Sequence, residues 1–181
     1  MYHMGCAGGC SGVDAGSKKA RLVFNREQLL YDIKNCAYIE GHVWGEENQH
    51  AQHTLVEICE EGNVDRVGRT LSLVHAKAIE MLYPYTKEAV GDDEEICNRL
   101  NFPDDYTIEL SVPATMSRTT LELLNRLIHE FMVARAIYDW LSITHPDAAG
   151  NWLGKANEAA EEIKGIKHTR TKRLRRPSHP F

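Results

Sequence analysis

The stretch from Ser117 to Thr144, SRTTLELLNRLIHEFMVARAIYDWLSIT, constrains the fold more than any other. Leu121, Leu124, Ile128, Phe131 and Tyr138 keep the three-to-four spacing of one helical face, and Leu127, Ala134, Ile137 and Leu141 widen it. In the middle, Phe131-Met132-Val133-Ala134 is apolar around a full turn, which requires cover on every side. Such a helix spans roughly 40 Å. It is therefore the spine of a bundle or part of a subunit interface. Glu122, Arg126, His129, Glu130, Arg135 and Asp139 recur too regularly for a membrane span.

The rest of the chain reads as helices around this spine. Asn25, with Gln28 three residues on, forms a capping box for a helix running to about Ile39, with Gly41 and Gly45 as its interruption. A second helix is expected from Glu46 to Glu61 and a third, capped by Asn63, from Val64 to Leu82. Residues 85–105 are acidic and loop-like, with a short helical turn around Ile96 to Leu100. Tyr106, Ile108, Leu110 and Val112 then alternate with polar residues as a strand that Pro113 stops. A lone strand is unstable, so it needs a partner from the C-terminal tail or from another subunit. Ser117 or Thr115 caps the spine, His145-Pro146 ends it, and Asn151 caps a last helix to about Lys164. The expected fold is mainly α: a bundle of about five helices with one short β-strand and an extended basic C-terminal arm.

The 181 residues suffice for one domain with its own core. Residues 1–20 are Gly-rich and read as a flexible segment, 21–166 as a single helical domain and 167–181 as the basic arm. The first residues lack the apolar centre of a secretory signal, and five cysteines make an odd number, so an intracellular chain without a disulfide framework is expected.

The net charge of −5 hides an asymmetry. Seven of the 21 Lys/Arg fall between Lys164 and Phe181, where there is no acid, leaving 14 basic against 26 acidic groups in residues 1–163. An acidic body with a basic tail points to an anionic partner for the tail, either nucleic acid or the acidic face of a neighbouring subunit. The residues assigned to that contact are Lys167, Arg170, Lys172, Arg173, Arg175 and Arg176.

No complete catalytic set accompanies these features. Glu47 and His50 form one Glu-x-x-His half-motif, with His53 following, but the second half-motif of a carboxylate-bridged metal bundle is missing. Glu57, Glu60, Glu61 and Asp65 form an acidic cluster of the kind that holds Mg²⁺, whereas the later cluster, Asp92-Asp93-Glu94-Glu95, falls in a loop. His129-Glu130 lacks the second histidine of a zinc-protease helix, and AGGCSG at 7–12 lacks the lysine of a phosphate loop. His3, Cys6 and Cys10 lack a fourth ligand. Cys36, Cys59 and Cys97 lack an activating neighbour, and the first two read as small buried residues. No catalytic residue, cofactor or metal is therefore assigned.

The order of parts, with a strand reading YTIELSVP, a long helix containing LLNRLIHEFMVARAIYDWL and a closing helix NWLGKANEAAEEIKGI before a basic end, resembles the small helical head–tail connector (adaptor) proteins of tailed phages and prophages. The likeness covers residues 25–181 and lies in the arrangement; the first 20 residues depart from it. It implies a non-enzymatic virion protein, assembled in the host cytoplasm into a ring, commonly dodecameric, beneath the portal. Its partners would be further copies of itself, the portal and the tail or stopper proteins, with DNA passing nearby. Two other readings stay open. One is a nucleic-acid-binding accessory protein acting through the basic tail. The other is a metal-dependent helical-bundle enzyme using His50, His53 and Glu57.

Overall fold

In a computed structural model the described residues are 16–43, 53, 57–87, 97 and 102–169. They form β1 (Ser17–Asn25), α1 (Arg26–Val43), a 3-10 turn (Glu57–Cys59), α2 (Val64–Met81), β2 (Asp105–Pro113), α3 (Arg118–Thr144) and α4 (Pro146–Ile166). The protein is mainly helical. Among the described residues there are four α-helices and a two-stranded antiparallel sheet, where about five helices and one strand were expected.

The strand at 105–113 is paired within its own chain. β1 runs antiparallel to it, with Leu22 opposite Ile108 and Phe24 opposite Tyr106. Neither the tail nor another subunit is needed to complete this pair, and the boundary drawn at residue 20 falls inside β1. The sequence hid the strand because Lys18, Lys19 and Arg21 make it look polar. Its inward positions are Ala20, Leu22 and Phe24, and the outward Val23 between the last two is apolar as well, so the period-2 signal is weak. The sheet buries Leu22, Phe24, Tyr106, Ile108, Leu110 and Val112 and turns Lys19, Arg21 and Glu109 outward. The far edge of β2 is partly covered by α2 and the turn that follows it. The Ser111 N–H donates to Tyr85 O at 2.8 Å, and His75 Nε2 lies 3.1 Å from Thr107 O.

Local capping explains the helix starts. Asn25 Oδ1 accepts from Gln28 N–H at 3.0 Å, as expected, but the Gln28 amide turns forward to Asp32 and does not close the capping box. α1 continues through Gly41 to Val43, since one glycine costs a helix only about 1 kcal/mol and Gly41 is buried. The Asn63 side chain donates to Glu57 O at 2.8 Å and makes no cap bond to α2. Of the helix expected from Glu46 to Glu61, the end that is described is the 3-10 turn; the turn expected around Ile96 to Leu100 lies outside the described residues except for Cys97. Ser117 Oγ caps α3 by accepting from Thr120 N–H at 3.0 Å. α4 begins at Pro146, five residues before the expected cap at Asn151, because proline's fixed φ and missing N–H suit a first helical turn.

α3 is the spine. Phe131, Met132, Val133 and Ala134 are all buried, and so are Ile128, Ile137 and Leu141. The cover comes from the same chain: α4 packs along α3 as a hairpin, and α2, α1 and β1 take further sides. Neither the spine's middle nor the strand therefore demands a second copy. No described helix is long and apolar enough to cross a membrane.

Candidate functional site

The side chains that leave α3 between its two flanking helices, α1 and α4, border a groove of about 380 Å³. Its floor is Leu127, Val133 and Ala134 of α3, one wall is Trp152 and Ala159 of α4, and the other is Cys36 of α1. Trp152, Lys155, Ala159 and Glu162 recur at three- to four-residue steps, so one stripe of α4 faces the opening. The rim carries Glu130, Glu158 and Glu162 against one cation, Lys155, whose Nζ sits 4.0 Å from the centre of the Trp152 ring. Large apolar side chains are also exposed on the same helices outside the groove. Leu123, one turn before Leu127, is 42% exposed, and Ile39, one turn beyond Cys36, is 56% exposed.

A polar contact fastens this groove's α1 wall to its floor. His129 Nε2 lies 2.7 Å from Asp32 Oδ2, and Asp32 also accepts from the Gln28 amide. His129 is thus paired with α1, and Glu130 stands on the rim of the groove.

Burial, with the carboxylates of Glu130 and Asp32 added, pushes the Cys36 thiol up from its usual range. Cys59, which donates to Leu30 O at 3.6 Å, is pushed up by burial to about 11. Both stay protonated at neutral pH, and a protonated thiol is a poor nucleophile and a poor metal ligand.

Of the tail residues assigned to a partner, Lys167 is engaged inside the chain. Its Nζ donates to Met81 O at 2.6 Å and to Tyr83 O at 2.9 Å, where α2 leaves carbonyls without helical partners. Arg170, Lys172, Arg173, Arg175 and Arg176 lie outside the described residues. So do His3, Cys6, Cys10, Glu47, His50 and the acidic run 92–95. His53 Nδ1 lies 3.3 Å from Glu57 Oε1, one turn along, and the imidazole is 80% exposed. Among the described residues no three His, Cys, Asp or Glu side chains gather as a metal site would require.

The groove escaped the sequence because its parts come from three helices whose faces meet only on packing, one of them, α1, far from the other two in the chain. The one local trace was the excess of apolar positions on the spine, with Leu127 and Ala134 widening the main face. No family model matches the chain. Comparison with curated proteins and with solved structures gives no match either.

Proposed function

We propose that the protein is a structural assembly subunit that packs side by side with copies of itself, of the kind found in the head–tail connector ring beneath a phage portal. The observation that carries this reading is the open apolar groove between α1, α3 and α4, with large apolar side chains exposed on two of the helices that form it. Leu127 of α3 lines it half-buried, Leu123 of α3 and Ile39 of α1 are exposed on its bordering helices, and Tyr31 and Tyr38 of α1 are 66% and 51% exposed. Contiguous exposed apolar surface on a folded domain marks an interaction face. A neighbour laid over this groove would remove its apolar surface from water, which contributes about 25 cal/mol per Å². The helical framework and the acidic body, a surface that repels a DNA phosphate backbone, fit a subunit that surrounds DNA without gripping it.

Multi-angle light scattering on the purified chain, alone and with a portal protein, tests the reading. A discrete oligomer in either condition is expected. A particle that stays monomeric at high concentration in both would overturn it.

A further inference from the structure

We infer that the groove between α1, α3 and α4 seats the basic segment 170–176 of a second copy of this chain. This rests on the assembly reading and names the contact that joins one subunit to the next. The groove offers an apolar floor inside an acidic rim. Among the described residues, no cation lies within ion-pair distance of Glu130, Glu158 or Glu162. The segment RTKRLRR offers the complement: five cations, no acid and one large apolar side chain, Leu174. Leu174 meets the floor at Leu127 and the wall at Ala159 while the flanking arginines meet the glutamates.

The assembly reading assigns the segment to a neighbour, and the anchoring of α4 agrees with it. Glu130 and Asp139 are nine residues apart on α3, which places them about 180° apart around the helix. Glu130 faces the groove, whereas Asp139 faces α2 and accepts from Thr70 Oγ1 at 3.1 Å. The end of α4 is tied to the α2 side as well, because Lys167 holds Met81 O and Tyr83 O. The last described turn of α4 is thus anchored beside the end of α2, on the side of α3 opposite Glu130. A tail in the next copy's groove is a heterologous contact, and such contacts close into a ring when the rotation per subunit allows.

The test uses two full-length chains. One carries Leu174→p-benzoylphenylalanine as a photo-crosslinker, and the other is wild type labelled with ¹⁵N. After mixing and irradiation, mass spectrometry should find labelled–unlabelled cross-links at peptides holding Leu127, Trp152 or Ala159. Glu158→Lys with Glu162→Lys in the labelled chain should lower their yield about tenfold, since each exposed ion pair is weak and reversal turns it repulsive. Adding Arg173→Glu and Arg175→Glu to the crosslinker chain should restore it. Both glutamates are exposed, so these changes leave the core intact, which a melting curve checks.

Cross-links to the groove only within one chain overturn the inference, as do cross-links elsewhere, a yield indifferent to charge reversal, or a tail protected only by added duplex DNA. If light scattering still shows an oligomer, the assembly reading survives such a failure. If no oligomer forms with or without the portal, both fall.

Discussion

His129 Nε2 lies 2.7 Å from Asp32 Oδ2, and this contact, with 21% and 31% of the two side chains exposed, ties α1 to the spine. It joins residues 97 positions apart and sets one wall of the groove.

Breaking that tie should loosen α1 without unfolding the bundle. Asp32→Ala and His129→Ala are each expected to lower stability by about 1–2 kcal/mol, and the double variant by less than their sum. Urea unfolding of the four proteins in the cycle measures this. Fully additive losses would mean that the contact contributes nothing.

Lys167 should act as a brace for α2 rather than as a free cation. Lys167→Met removes both hydrogen bonds to Met81 O and Tyr83 O and should cost about 1–2 kcal/mol, which lowers the melting temperature by roughly 2–8 °C in a protein of this size. Lys167→Arg should recover part of the loss. Calorimetry at two salt concentrations would read it, and an unchanged melting point for Lys167→Met would contradict the brace.

Gly68 is buried in α2, and a Cβ built there would lie 2.9 Å from the Phe102 ring. Alanine favours a helix over glycine by about 1 kcal/mol, but here that gain is opposed by the ring. Gly68→Ala should therefore stabilise a Phe102→Ala background by about 1 kcal/mol and give less, or a loss, in the wild type. Equal effects in both backgrounds, measured by denaturant titration, would show that the ring moves aside freely.

The His75 imidazole is packed between α2 and β2, with Nε2 3.1 Å from Thr107 O and its ring 5.2 Å from that of Tyr106. Burial holds its pKa below the ordinary 6.5, and the bond to Thr107 O only partly opposes this. In the unfolded chain the imidazole binds its proton more readily. Stability is thus greatest above pH 6.5 and falls as the pH drops from there toward the lower folded value. His75→Gln should flatten that part of the stability–pH curve; an unchanged slope would assign it to other groups.

Much of the helical layout was legible because it is local. The period of Leu124, Ile128, Phe131 and Leu141 and the cap at Ser117 locate α3, and Val67, Leu71, Val74 and Ala78 locate α2. Less of the candidate site was legible. Glu130 and Leu127 were visible as helix residues, but Cys36, Trp152 and Glu162 become their neighbours only when three helices pack. The tail's charge was plain, yet nothing in the order of residues marked Lys167 as the cation held by α2.

The amino-acid order by itself determined where most of the helices lie and that their middle must be covered, because helical period and capping act over a few residues. It also determined the split between an acidic body and a basic end. Only the tertiary structure decided what supplies the cover, and that β2 finds its partner in Ser17–Asn25 of the same chain. It alone opened the groove beside Glu130. Such contacts depend on how distant segments meet once the core closes, and no local period in the sequence records that.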